Sequence, residues 1–216
     1  MIPITYIPNF IKDADKLFKA LRDELSWVRI GLTPRSEYYC NDTDVPYTYG
    51  TGQFARTYEV QPYSQAILDI RAAIEAEAKT NLDVCFLNHY HDSSDQLGWH
   101  ADDSPEMDDT RPIAIVSFGA EREIWFRKTP FSKYCGACNG SGQYDANGSP
   151  QCSSCKGSGK ATPEEVTKLK LGHGSLCLMA PGMQDTHQHR IPKAGFECGP
   201  RISLTFRGYV HNMKEE

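Results

Sequence analysis

Arg201-Ile202-Ser203-Leu204-Thr205-Phe206-Arg207 alternates without interruption, with Arg201, Ser203, Thr205 and Arg207 on one side and Ile202, Leu204 and Phe206 on the other. A period of two is that of an extended strand, whose successive side chains point to opposite faces. Its apolar side needs a core. Its polar side carries two guanidiniums, which are costly to turn inward unless anions meet them. The alternative is a solvent-facing edge strand. Upstream, short apolar or alternating runs at 84–90, 113–118, 122–127, 166–171, 175–180 and 187–191, with 201–210 as the last, are separated by turn signals. That pattern predicts a β barrel or sandwich.

Two helical patterns precede most of these strands. From Asn9, a suitable N-cap, residues 10–25 place Phe10, Ala14, Leu17, Phe18, Leu21 and Leu25 near one helical face. Residues 63–79, beginning just after Pro62, turn Ile67, Ile70, Ile74 and Ala78 inward. Between them, residues 26–61 are rich in Gly, Pro, Thr and Tyr, a composition of turns and short strands suited to covering a site. The expected class is mainly β with flanking N-terminal helices.

The chain has 216 residues, enough for one sizeable domain, expected over residues 1–216. With 39% hydrophobic and 24% charged residues it falls among soluble globular proteins, and no apolar run approaches the roughly 18 residues of a membrane span. The N-terminus shows no secretory pattern, so a cytoplasmic location, or a nuclear one in a eukaryote, is expected rather than secretion. A monomer is expected. A net charge of −5 argues against coating nucleic acid by phosphate neutralisation, though not against a local basic groove.

Four of the eight cysteines form two CxxC pairs. Cys135-Gly136-Ala137-Cys138-Asn139-Gly140-Ser141-Gly142 and Cys152-Ser153-Ser154-Cys155-Lys156-Gly157-Ser158-Gly159 each read CxxCxGxG. A CxxC turn points two thiolates at one ion, and the glycines let the backbone turn behind them. Two such turns predict a tetrahedral zinc site of Cys135, Cys138, Cys152 and Cys155 in an inserted module over residues 133–161. The module resembles one zinc-binding half of the cysteine-rich domain of DnaJ chaperones. A closed four-thiolate site has no open position, so its role is structural or in binding. Lys133, Lys156 and Lys160 suggest a phosphate contact through the insert. The remaining cysteines are Cys40, Cys85, Cys177 and Cys198, of which Cys85 and Cys177 read as buried strand residues.

Trp99-His100-Ala101-Asp102 supplies an HxD pair, two residues that project to the same side of an extended segment. One further histidine, from His173, His187, His189 or His211, would complete two His and one carboxylate. Such a facial triad leaves three positions on Fe(II) for a bidentate co-substrate and oxygen. The inward arginines of the C-terminal strand suit a dicarboxylate such as 2-oxoglutarate, because guanidinium matches carboxylate in planar, two-pronged geometry.

Asn88-His89-Tyr90, Trp99-His100-Ala101-Asp102-Asp103, Ile115-Val116-Ser117-Phe118-Gly119, His173-Gly174-Ser175, Gln188-His189-Arg190-Ile191-Pro192 and the Arg201 to Arg207 strand occur in a telling order. It is the order seen in AlkB-type Fe(II)/2-oxoglutarate dioxygenases, and the chain resembles above all the human homologues that reverse alkylation of DNA and RNA. Pro34-Arg35 and Pro46-Tyr47-Thr48-Tyr49-Gly50 resemble the nucleotide-recognition region of those proteins. The resemblance implies a double-stranded β-helix (jelly-roll) core and iron bound by His100, Asp102 and His189. It further implies 2-oxoglutarate held by Asn88, Tyr90, Arg201, Ser203 and Arg207, with Arg201 on the distal carboxylate and Arg207 near the chelating end. The family has Asn where Ser203 stands.

The activity so implied is oxidative removal of N-methyl groups from bases such as 1-methyladenine and 3-methylcytosine, with O2 as co-substrate and release of formaldehyde and succinate. Arg35, Tyr47, Tyr49 and Trp99 are suited to stacking a flipped or unpaired base and gripping a phosphate. Ser104 stands where repair members carry an acidic residue facing the base, and a hydroxyl is the weaker acceptor. The acidic run of Asp102, Asp103, Glu106, Asp108 and Asp109 repels a duplex backbone and favours single strands or nucleotides. Competing readings are an oxygenase acting on a protein side chain or an unmethylated base, and a partner-binding module with a decayed site.

Overall fold

A computed structural model describes residues 2–31, 33–50, 55–129, 138, 151–153, 156–157 and 165–210. In chain order the elements begin with β1 (Ile4–Ile7), α1 (Ala14–Glu24), β2 (Ser36–Asn41), β3 (Tyr47–Tyr49), β4 (Arg56–Tyr58) and α2 (Gln65–Ala78). There follow β5 (Val84–Tyr90), β6 (Leu97–His100), β7 (Met107–Asp108), β8 (Ile113–Gly119) and β9 (Arg122–Lys128). The chain closes with β10 (Thr167–Leu171), β11 (Ser175–Met179), α3 (Met183–Thr186), β12 (His187–Ile191) and β13 (Arg201–Tyr209).

The larger sheet runs β1-β11-β8-β13-β5-β2, with β7 pairing β13; the smaller runs β10-β9-β12-β6, and β3 and β4 form a separate hairpin. All the pairings are antiparallel. The two sheets share a core of Tyr90, Ile113, Ile115 and Cys177 from one and Ile124, Phe126, Leu171 and Ile191 from the other. On the other face of the larger sheet, Leu21 of α1 and Ile67, Ile70 and Ile74 of α2 cover Leu87, Val116, Leu204 and Phe206. Burying each such side chain contributes roughly 1.5–3 kcal/mol, enough to seat both helices. The result is mainly β with few helices, a jelly-roll arrangement of two facing sheets.

Strand β13 lies between β5 and β8, so it is central and not an edge. Its polar face is therefore buried as thoroughly as its apolar one, and Arg201, Ser203, Thr205 and Arg207 are all buried.

Local structure departs from the sequence expectation at three places. The first helix starts at Ala14, not Phe10, because Asn9 takes a left-handed conformation (φ 51°) and the Ile11 amide donates to the Gly174 carbonyl. Within residues 26–61, β2 is a wholly buried strand of the larger sheet. Burial on both faces removes the polar alternation that would have marked it. The short strand β1 completes the other edge against β11. The second helix agrees closely: Ser64 caps its start and Lys79, at φ 52°, ends it. No helix among the described residues is long and apolar enough to cross a membrane.

Candidate active site

Sheet register gathers residues that are distant in sequence. Ser203 of β13 faces Asn88 on β5 and Ser117 on β8, while Arg201 faces Tyr90 and Gly119. Asn88 in turn faces Glu37 of β2. Gly119 ends β8 at φ 83°, and a Cβ there would fall 2.9 Å from the Phe18 ring. A side chain would thus push the strand off α1. These cross-strand rows form the floor of a cavity, whose wall in the smaller sheet includes His100, Ile124, His189 and Ile191.

His100 and His189 are direct partners on β6 and β12, with ring centres 4.2 Å apart. Asp102 follows His100 into the same space. Its carboxylate lies 3.6 Å from His100 Nε2 and 3.8 Å from His189 Nε2, and the three ligand atoms fall within 4.8 Å of one another. Ligands held roughly 2.0–2.2 Å from one ion sit about 3 Å apart, so the cluster closes on a metal by drawing these side chains together. The supporting contacts favour this. His100 Nδ1–H donates to the Gly98 carbonyl at 2.9 Å, which leaves Nε2 as the lone-pair nitrogen. The Asp102 amide donates to Gln184 Oε1 at 2.9 Å, and Arg207 Nη2 reaches the Asp102 carboxylate at 2.7 Å.

Electrostatics keep all three groups in ligating form. Burial opposes ionisation of Asp102, but the charge of Arg207, then of His189 and His100, outweighs it and sets the carboxyl at about 2. Burial and the neighbouring His100 lower His189 to about 3. His100 is lowered by burial as well. The donor set of two neutral imidazoles and one carboxylate suits Fe(II) with open positions.

Beside the cluster, Arg201 is 0% exposed and donates from Nη2 to Ser117 Oγ at 2.8 Å. Its Nε and Nη1 are buried with no partner, and the Tyr90 hydroxyl is buried likewise. The guanidinium rests 5.1 Å from the Tyr90 ring centre. Burial draws its pKa down to about 10. A buried cation with unused donors and no carboxylate calls for an anion, and a 2-oxoglutarate carboxylate fits. Arg207 Nε is also unpartnered. Asn88, Tyr90, Ser203 and Arg207 line the same cavity.

The tyrosines of the hairpin form the outer wall. Tyr47 and Tyr58 stack with ring centres 6.4 Å apart, Tyr49 lies at the rim, and the Tyr47 hydroxyl is 2.8 Å from Ser104 Oγ. Arg35 lines the cavity as a buried side chain: Nε donates to Asn88 Oδ1 at 2.5 Å and Nη2 to Glu37 Oε1 at 2.6 Å. It is thus engaged within the protein. Trp99 does not line the cavity; it lies on the outer side of the smaller sheet, with Arg127 4.3 Å and Arg190 5.3 Å from its ring centre. Glu37, at 0% exposure, also accepts from the Tyr58 hydroxyl at 2.8 Å. Sequence reasoning passed over Glu37, Tyr58 and Gln184. Of these, only Glu37, the acidic residue two positions after Arg35, offered a signal.

Of the other late histidines, His173 accepts from the Gly119 amide and lies near Asp15 and Phe18 beneath α1, and His187 meets Thr186. His211 lies outside the described residues. Of the zinc module, Cys138 and Cys152 are buried against one another, whereas Cys135 and Cys155 lie outside the described residues, as do Lys133 and Lys160. Cys85 and Cys177 are buried, and burial raises both thiols, Cys177 to about 12.

Comparison with known proteins agrees with this geometry. Residues 4–207 match the model of the 2OG-Fe(II) oxygenase superfamily. The chain is 30% identical over 211 residues to alpha-ketoglutarate-dependent dioxygenase alkB homolog 3 of Bos taurus, and 29% identical over 209 residues to the protein of that name from Mus musculus. Each match covers 93% of this chain and 64% of the relative, so the chain spans less than two thirds of those proteins. It is also 26% identical over 213 residues to the DNA oxidative demethylase ALKBH2 of Mus musculus, covering 94% of this chain and 77% of that protein. Among solved structures, that of OsALKBH1 superposes with a TM-score of 0.51 at 16% identity, covering 96% of this chain and 98% of that one. The match along the strands that carry the metal cluster and both inward arginines places the chain in a family: it belongs to the 2OG-Fe(II) oxygenase superfamily.

Proposed function

We propose that the protein is an Fe(II)/2-oxoglutarate-dependent dioxygenase that demethylates N-alkylated bases of the 1-methyladenine and 3-methylcytosine type in single-stranded DNA or RNA, consuming O2 and 2-oxoglutarate and releasing formaldehyde, succinate and CO2. The observation that carries the reading is the His100, Asp102 and His189 cluster beside a buried Arg201 with unused donors. The names of relatives, a dioxygenase and a DNA oxidative demethylase, support it. Iron with its keto-acid co-substrate supplies the oxidising power when bound. The protein supplies position and a shielded cavity. Arg201 takes the distal carboxylate, Asn88, Tyr90 and Ser203 flank the chain of the keto acid, and Arg207 bridges Asp102 and the chelating end. Ile115, Ile124 and Ile191 keep water from the reacting centre. Tyr47, Tyr49 and Tyr58 provide faces for an unpaired base, and the acidic run after Asp102 disfavours a duplex.

The test is incubation with Fe(II), ascorbate, 2-oxoglutarate and a single-stranded oligonucleotide bearing one 1-methyladenine or 3-methylcytosine, followed by mass spectrometry. Replacement of methyl by hydrogen, abolished by His189→Ala, is the expected result. Succinate without any change in the oligonucleotide would move the reaction to another substrate.

The same reading assigns one structural zinc to Cys135, Cys138, Cys152 and Cys155. The mutual burial of Cys138 and Cys152 supports it. One zinc per purified chain, absent from Cys152→Ser, is the expected metal analysis; a parent protein without zinc would remove the site.

A further inference from the structure

The outer face of the smaller sheet differs in character from a chain whose net charge is −5. Alternation along β12 sends His189 to the metal cluster and Arg190 outward. Along β9 it buries Ile124 and Phe126 and leaves Trp125 and Arg127 half-buried on the outside. Register aligns these groups across the sheet: Arg190 faces Trp125, and Trp125 faces Lys168. The Lys168 ammonium lies 4.2 Å and the Arg190 guanidinium 4.5 Å from the Trp125 ring centre. Arg190 and Arg127 flank Trp99 on the neighbouring strand. Four cations, Arg127, Lys168, Lys170 and Arg190, therefore share one face with two of the three tryptophans in the chain, against two carboxylates: Glu123, which accepts from Trp125 Nε1 at 2.7 Å, and Glu121, which lies 3.2 Å from Lys170 Nζ in an exposed ion pair. A cleft beside this face is lined by Trp125, Lys170, Arg190, Lys193 and Phe196 together with the carboxylates of Glu121 and Glu123, and Phe196 is 62% exposed.

Protection of an edge accounts for Lys168 and Lys170, since β10 is an edge strand and charged side chains deter pairing there. It does not account for Arg190 and Arg127, which sit on interior strands, or for an aromatic ring left in solvent. Cations of one sign set on aromatic rings, with a further exposed ring beside them, match a flexible polyanion whose units each carry a planar face. A single-stranded nucleic acid has that chemistry. A rigid duplex hides its base faces.

We propose that this outer face is a docking surface for the single-stranded nucleic acid, with phosphates at Lys168, at Lys193 and at Lys170, whose exposed pairing with Glu121 is weak enough for a phosphate to displace, and bases against Phe196 and the Arg190 guanidinium. The inference rests on the nucleic-acid reading above and adds a second contact surface, on the opposite side of the sheet from the reacting base. Substrate length then matters: an oligonucleotide engages both surfaces and a mononucleotide only the cavity.

The experiment uses the full chain and a fluorescein-labelled, unmodified fifteen-nucleotide oligothymidylate, with binding followed by anisotropy across a salt series. The double variant Lys168→Glu, Lys170→Glu is expected to weaken binding at least ten-fold and to lower the salt slope by about 1.4, roughly 0.7 for each phosphate no longer neutralised. Phe196→Ala, which changes no charge, is expected to weaken binding several-fold at an unaltered slope. In both, decarboxylation of 2-oxoglutarate without nucleic acid stays at the parent level, and KM for a methylated oligonucleotide rises while kcat holds. Parent-like affinity and slope in the lysine double variant and in Phe196→Ala overturn the proposal. So does equal weakening by Lys12→Glu with Lys79→Glu, exposed lysines off this face, because the effect would then be one of overall charge. A parent protein that binds oligothymidylate through these residues yet demethylates nothing would uphold the docking surface and reject only the assigned reaction.

Discussion

The Arg207 guanidinium donates to the Asp102 carboxylate at 2.7 Å, joining the central strand of the larger sheet to the segment that leaves β6 in the smaller one. The contact holds Asp102 ionised despite its burial and fixes the spacing of the two sheets where the metal cluster forms. Arg201, on the same face of the same strand, has no such carboxylate. The pair of arginines is thus divided between a protein anion and an anion still to be bound.

Arg201→Met keeps the bulk of the side chain and removes a buried charge whose donors are unmet. Replacing a poorly compensated buried charge by an apolar group is often neutral or stabilising, by about 1–4 kcal/mol. The variant is therefore expected to unfold no more readily than the parent in urea without 2-oxoglutarate. It is also expected to lose the co-substrate's stabilisation, about 2.7 kcal/mol for a ligand at a hundred times its Kd. A less stable variant that still responds to 2-oxoglutarate would contradict this assignment of Arg201.

Glu37→Ala removes the carboxylate that receives both Arg35 and Tyr58. Breaking a buried pair from one side leaves the other charge uncompensated, at a cost of about 3–5 kcal/mol. Glu37→Gln retains an acceptor and should cost less. Urea midpoints of the two variants give the comparison, and equal midpoints would show that the carboxylate charge carries no weight.

His89 lies beneath Trp27, with both ring nitrogens buried and unpartnered. Burial, then the neighbouring His91, lowers its pKa to about 4. Its folded form stays neutral while the unfolded chain takes up a proton below about 6.5, so stability is full above that pH and falls as pH drops toward 4. Between pH 7 and pH 5 the loss from this group is about 2 kcal/mol. His89→Leu should flatten that part of the pH–stability curve, measured by chemical denaturation; an unaltered slope would place the acid sensitivity elsewhere.

Ser104→Asp introduces a carboxylate where a hydroxyl now meets the Tyr47 hydroxyl at 2.8 Å. A charged acceptor is about twice as strong as a neutral one. The ratio of kcat/KM for cationic 1-methyladenine over neutral 1-methylguanine is expected to rise about ten-fold, or about 1.4 kcal/mol. An unchanged ratio would show that residue 104 does not face the base.

Much of the architecture was legible in the sequence because it is written in local periodicity. The strands at 84–90 and 113–118 read as short apolar runs between turn signals, and the run from Arg201 reads as an alternation. Strand β2 was not legible, because the buried polar residues Ser36, Glu37 and Asn41 interrupt its apolar run and a strand buried on both faces shows no alternation either. The start of α1 was misplaced because a tertiary hydrogen bond to Gly174 holds Ile11 outside the helix.

By itself, the sequence determined the supply of chemistry: an HxD pair, a set of late histidines, two arginines on one strand face, and a mainly β chain to carry them. Only the tertiary structure decided that His189 meets His100 across β12 and β6 while His173 lies under α1, that Arg35 is taken up by Glu37 and Asn88, and that Trp99 faces away from the cavity. The physical reason is that strand register and the choice of buried face are set by pairing between distant segments. A shift of one residue exchanges the two faces of a strand without altering its periodicity.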